Sequence, residues 1–230
     1  MNILLMGPPG SGKSTQAALI AERLKVARIT ASALLAAAAQ GDSSDGRMVK
    51  KTMATGTLVP DEIVNKLVIT RLGQPDCATG FVLDGFPRTV PQATALAQAG
   101  IHIDGIVELI LEEAELLRRL TGRRIHEPSG RTYHLIFKPP KNDERDDETG
   151  EPLLQREDDR EDVVRRRLTL HQTHAESLRG YYSERPDNRP RHLRIDGTGE
   201  PREVSDSVIR ALSALMPERG AGPVARTRTP

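Results

Sequence analysis

Ile3-Leu4-Leu5-Met6-Gly7-Pro8-Pro9-Gly10-Ser11-Gly12-Lys13-Ser14-Thr15 is the stretch on which the fold turns. A short apolar run, enough for one buried strand, leads without a linker into Gly-x-x-x-x-Gly-Lys-Ser, the Walker A pattern. Glycines at this spacing let the backbone curl so that successive N–H groups point inward at phosphate oxygens. The helix expected over 16–24 adds the positive end of its dipole, and Lys13 adds a mobile positive charge. Ser14 stands where a hydroxyl can reach a magnesium ion. Gly10, Ser11, Gly12, Lys13, Ser14 and Thr15 are therefore expected to hold nucleotide phosphates. The alternative, a glycine-rich turn with no ligand, does not explain a strand before the motif and an amphipathic helix after it.

The rest of the composition narrows the class. A chain of 230 residues suits one α/β domain with insertions. A formal net charge of +1, with no dense basic stripe interleaved with aromatics, argues against nucleic acid as the main partner. Cys77 is the only cysteine, so no internal disulfide can form, and no Cys/His cluster suggests structural zinc. No uninterrupted apolar stretch is long enough to span a bilayer, and the expectation is a soluble cytoplasmic protein. Aromatic residues make up only 3%, so the core must rely on Leu, Val, Ile and Ala.

Short apolar segments recur at 2–6, 80–84, 105–110 and 192–195, with Arg28-Ile29 as a further one. None alternates strictly with polar residues, as expected for strands covered on both faces. Helical patterns separate them, which predicts a parallel sheet wrapped by helices. Residues 31–39 form an alanine-rich helix candidate. Residues 122–159 are polar and turn-rich, with an acidic run from 143 to 148. A long insertion of this kind reads as a lid or a disordered loop, and the arginines at its ends (Arg123, Arg124, Arg156) favour a lid over an anionic ligand. Residues 217–230 read as a frayed tail.

Asp84 ends an apolar strand, and parallel sheets bind ligands at the carboxyl ends of their strands. A carboxylate there, beside a Walker A loop, suits magnesium or its water shell. In Gly85-Phe86-Pro87-Arg88, Gly85 allows close backbone approach, Pro87 stiffens the turn and Arg88 offers a fork of phosphate donors. Taken alone, Asp84 could be a helix cap and Arg88 a surface ion pair. Phosphoryl transfer needs several arginines, because charge spreads over the transferred group. Arg165-Arg166-Arg167 lies on one predicted helix, of which a single face can look into a cleft. Solvated ion pairs are expected for Arg165 and Arg166, although periodicity does not by itself single out Arg167.

With these residues in hand, the sequence resembles the adenylate kinases of the long-lid bacterial type, to about residue 216. Gly7–Thr15 is similar to the family's phosphate loop, and Asp84-Gly85-Phe86-Pro87-Arg88-Thr89 with Gln92 to its most specific signature. Gly122-Arg123-Arg124-Ile125-His126 and Ser129-Gly130-Arg131-Thr132-Tyr133-His134 resemble the first half of its lid. Lys138-Pro139-Pro140, Asp146-Asp147-Glu148-Thr149-Gly150 and Gln155-Arg156-Glu157-Asp158-Asp159 resemble the second half. The resemblance implies a P-loop kinase core over 1–29, 60–121 and 160–216, a helical monophosphate-binding segment at 30–59 and a lid at 122–159. It implies reversible transfer from MgATP to AMP giving two ADP, by a monomer. Lys13, Arg123, Arg156 and Arg167 would surround the transferring group, with Arg88 gripping the AMP phosphate. Arg119 would stack on the ATP adenine, with Thr132, Tyr133 and Gly199 also on the ATP side. Leu58, Val59, Gly85, Phe86, Pro87 and Gln92 would line the AMP side, where Arg156 and Arg167 also reach. Magnesium would sit by Ser14 and Asp84, through water. Some relatives clip the lid with four cysteines on zinc. The corresponding positions here are His126, Ser129, Asp146 and Thr149, which implies a hydrogen-bonded network and no zinc.

The chain departs from the family pattern at one place above all. Where relatives read Ser-Thr-Gly-Asp-x-Leu-Arg, it reads Thr30-Ala31-Ser32-Ala33-Leu34-Leu35-Ala36. The lost arginine is, by resemblance, a clamp on the AMP phosphate. Ser14 replaces a usual glycine, Thr57 stands where a lysine or arginine is common, and Gly199-Glu200 alters the adenine-side loop. Three readings follow: a weakened AMP kinase, a kinase for another acceptor, or a nucleotide-binding protein with little turnover.

Overall fold

The structure, a computed structural model, describes residues 1–54, 59–184 and 190–214. In chain order its elements are β1 (Asn2–Met6), α1 (Lys13–Leu24), β2 (Ala27–Thr30), α2 (Ala31–Ala39), α3 (Ser44–Ala54) and α4 (Asp61–Leu72). Then come β3 (Phe81–Asp84), α5 (Val90–Gln98), β4 (Gly105–Ile110), α6 (Glu113–Thr121), β5 (Arg123–His126) and β6 (Arg131–His134). The series closes with α7 (Glu161–Ser183), β7 (Arg191–Asp196) and α8 (Pro201–Ser213).

Successive strand residues point to opposite faces, so each apolar strand feeds two cores. Ile3, Leu5, Val82, Val107 and Leu109 pack with Ala17, Ile20 and Ala21 of α1 and Val204, Val208 and Leu212 of α8. Leu4, Met6, Leu83 and Ile106 face the other way, onto Val64 and Val68 of α4, Leu96 of α5 and Leu178 of α7. With both faces covered, the sheet is parallel throughout and ordered β2-β3-β1-β4-β7. The expected strands are all present, and Arg28-Ile29 lies within a full strand, β2; against expectation β7 alternates, with Leu193 and Ile195 turned to the core and its other residues exposed, because it is an edge strand. The order reverses direction at β1, whose neighbours are β3 and β4. A crevice opens at such a switch point beyond the strands' carboxyl ends, and there the Gly7–Thr15 loop leaves the sheet.

Two expectations change in detail. Gly12 adopts φ 87, and α1 begins at once with Lys13, not at 16. Lys13, Ser14 and Thr15 thus form the first turn, where backbone N–H groups have no intrahelical partner. Residues 122–159, read as a lid or a disordered loop, are ordered. β5 and β6 pair as an antiparallel hairpin apart from the main sheet, and Ile125 pairs further with Leu154. Among the described residues, no helix is long and apolar enough to cross a membrane. Thr57, Leu58 and residues 217–230 lie outside the described residues.

Candidate active site

The phosphate loop is shaped by three glycines in left-handed or mirror-extended backbone: Gly7 at φ 144, Gly10 at 82 and Gly12 at 87. Space is limiting as well as φ. A Cβ on Gly10 would lie 2.8 Å from Leu120 Cγ, so the loop rests directly on α6. Lys13 Nζ donates to the carbonyls of Gly7 and Pro8, both at 2.7 Å. Ser11 is buried, and its hydroxyl has no partner among the described residues. Thr15 is exposed on the first turn of α1.

Ser14 Oγ donates to Asp84 Oδ2 at 2.6 Å, which joins the first turn of α1 to the end of β3. Asp84 is buried and registers with Leu5 of β1 and Thr30 of β2. Its neighbourhood is cationic. Burial lowers the Lys13 ammonium to a pKa of about 8; Asp84 opposes this, while Arg88 and Arg167 add to it. Arg88 is likewise lowered, by burial first and then by Arg167. Lys13 and Arg88 therefore feel the Asp84 carboxylate, and the charge of Arg167, from a third element, acts on both of them. The geometry is that of a polyanion site in which Ser14 and Asp84 present hard oxygens beside the cations.

Arg88 lies within this cleft but keeps part of its surface open to solvent, its Nε donating to Gly85 O at 2.9 Å. Gly85 has φ 79, and the Phe86–Pro87 peptide is cis. Phe86 is 2% exposed and belongs to the core, so only its backbone can reach a ligand. Gln92 accepts from Arg88 N at 2.7 Å and donates to Asp61 at 2.6 Å, while Thr89 donates to the same carboxylate. Gln92 thus braces the Arg88 turn against α4. Val59 is partly buried against the core.

The remaining predicted residues do not all gather at Asp84. Arg119 donates to Glu115 and to Gly197 O, tying α6 to the loop that includes Gly199. Arg167 donates to Asp158 O at 2.8 Å while its charge acts on Lys13. Arg123 makes a two-point ion pair with Asp159, at 2.8 and 2.5 Å, and Asp159 is fully buried. Arg156 is exposed and has no side-chain partner among the described residues. Thr132 is exposed, whereas Tyr133 is buried with its hydroxyl donating to Asp146 at 2.9 Å. Arg165 pairs with Glu161 and Glu113, and Arg166 with Asp162, as expected for solvated partners.

A protein-family model described as adenylate kinase matches residues 5–186. The chain belongs to the adenylate kinase family. It is therefore a P-loop phosphotransferase of the nucleoside monophosphate kinase class. In this adenylate kinase family member, the 122–159 excursion is held by side chains bonded to one another. His126 Nδ1 meets Ser129 Oγ at 2.7 Å, and Nε2 meets Glu151 at 2.6 Å. Thr149 donates to Asp146, and Arg131 grips Asp146 at two points, 2.8 and 2.6 Å. Arg131 holds the Asp146 carboxyl far below the usual carboxylate range, helped by Thr149 and Tyr133.

Sequence reasoning passed over two residues of this kinase. Glu108 lies on β4 in Gly-Ile-Val-Glu-Leu-Ile, bonded to Arg179 at 2.6 Å and to His192 at 2.8 Å. A lone charge inside an apolar strand was the available signal. His171, on α7, lies close enough to Lys13 and Glu108 for both to act on its ring.

Proposed function

We propose that the protein transfers the γ-phosphoryl group of MgATP reversibly to AMP, giving two ADP. The observation that carries this reading is the grouping of Lys13 and Arg88 about Asp84 at the carboxyl end of β3, with the charge of Arg167 acting on both cations. A donor triphosphate would lie along the Gly7–Thr15 loop, where the free amides and Lys13 neutralise it. Arg88 would hold the acceptor phosphate, and Arg167 the group in transit. Ser14 and Asp84 fit magnesium, which both would hold through water; it would shield phosphate charge. No general base is required, because positioning and charge neutralisation carry the reaction. Arg123 and Arg156 would join when the 122–159 lid closes. The core would comprise 1–29, 60–121 and 160–216, with 30–59 holding the acceptor. ATP, AMP and ADP would be the partners of a monomer.

The acceptor side is weaker. α2 starts beside Asp84, since Thr30 registers with it, and exposes Ala33 and Ala36 where a clamp would stand. A hydrogen bond to a charged group is worth ~1.5–3 kcal/mol, so its loss should reduce kcat/KM for AMP by ~10- to 150-fold. The same bare face supports a second reading, transfer to an acceptor other than AMP. The test is a panel of phosphate acceptors with saturating MgATP. Best turnover with AMP is expected. A better acceptor would favour the second reading, and ATP binding without any turnover would overturn both.

A further inference from the structure

The inward face of α7 follows a four-three spacing: Val164, Leu168, His171, Ala175, Leu178, Tyr182. Five of these are buried and apolar or aromatic; His171 is the exception. The packing shows why a polar group fits there. Val164 and Leu168 join Leu116 and Leu120 of α6 in one cluster. Ala175, Leu178 and Tyr182 join the core under the sheet. His171 falls in the gap between the two clusters. The phosphate loop packs on the first of these clusters, since Gly10 rests on Leu120, and the charge of Lys13 reaches the ring.

A histidine at a core position ordinarily has a hydrogen-bond partner. His171 has none among the described residues, although it is half-buried. One turn before it on the same helix stands Arg167. We propose that His171 is a further phosphate-contacting residue, donating a ring N–H to the nucleotide phosphates in the Gly7–Thr15 loop.

The charges that act on the ring are those of Lys13 from α1, Glu108 from β4, and Arg179 and His174 from α7 itself. Burial and then Lys13 push the imidazole down to a pKa of about 4, while Glu108 pulls the other way. At neutral pH the ring is uncharged, with one N–H to give and one nitrogen bare. A polyphosphate beside Lys13 reverses the local field and favours a second proton. His171 then strengthens as a donor when the ligand arrives.

This inference rests on the phosphate-loop part of the proposed function but not on AMP as acceptor. The experiment follows the His171 ring by NMR through a pH titration, with and without saturating inorganic tripolyphosphate, and measures binding of the same probe. The expected result is a rise in the His171 pKa from about 4 to above ~6 on binding, with uptake of protons. His171→Leu should weaken binding ~10- to 150-fold, as for a lost bond to a charged group, and His171→Gln should recover part of it. Leu suits the apolar stripe, so both variants should melt near the parent temperature. An unmoved ring pKa, together with His171→Leu binding within about twofold of the parent, would overturn the proposal. If the parent does not bind tripolyphosphate, the loop reading and this proposal fall together. Binding without AMP turnover would remove only the acceptor assignment.

Discussion

Arg165, Arg166 and Arg167 are consecutive on α7 yet do three different things. Arg165 bridges to α6 through Glu113, Arg166 pairs within its own helix, and Arg167 bonds to Asp158 while its charge acts on Lys13. Helical geometry puts neighbours about 100° apart, so only one of the three can face the cleft. At this scale Lys13→Ala should lower kcat ~10²- to 10³-fold, as removal of a charge-stabilising donor does, read in a coupled ADP assay. Ala36→Arg tests the acceptor side. If the exposed face of α2 lines the cleft, KM for AMP should fall about 10-fold or more with kcat little changed. Much of the candidate site could be read residue by residue: the loop, Asp84 and Arg88 each carry a spacing tied to a chemical need. His171 could not, because its meaning depends on two apolar clusters meeting around it. Nor did spacing reveal that Gln92 braces Arg88 from behind.

The 122–159 excursion shows how charges can do the work of a core in a small element. Asp146 is buried and receives Arg131, Tyr133 and Thr149 together. Its carboxyl titrates below the ordinary range, so its contribution is fully present above about pH 4 and fades as pH falls through its folded value. Asp146→Asn should therefore lower the melting temperature at pH 7, and the gap from the parent should narrow toward pH 3. An equal gap at both pH values would show that packing, not charge, holds this element. Asp159→Ala would leave Arg123 without its buried partner, costing about 3 kcal/mol, the lower end for such pairs because Arg123 reaches solvent. Thermal unfolding and hydrogen exchange across β5 and β6 would read that loss. Polar, turn-rich composition suggested a lid or a disordered loop here. It concealed the order, because a network of paired side chains has no periodicity to detect.

Across the whole molecule, the sheet was legible because its central strands β1, β3 and β4 are mostly apolar and covered on both faces, whereas the edge strand β7 alternates. The strand order was not, since nothing in a run of Val and Leu says which neighbour it pairs with. The order places β1 at the point of reversal and so places the cleft. Ligand binding there should be felt globally. ATP at about 100 times its Kd adds ~2.7 kcal/mol, or a rise of about 5–10 °C in melting temperature for a chain of this size. AMP alone should add far less until position 36 carries an arginine.

Lys13 and Arg88 share a single carboxylate while Arg167 adds a third positive charge, and the repulsion among them is built into the resting fold. Function and robustness therefore pull against each other at this spot. Lys13→Met should give a protein that has lost turnover and yet melts higher than the parent at pH 7. The folded lysine releases its proton near pH 8, earlier than in the unfolded chain, so the advantage should shrink from about pH 8 toward 10.5. Stability alone would favour an apolar side chain at this position, so the lysine costs the resting fold something that a bound polyanion would give back.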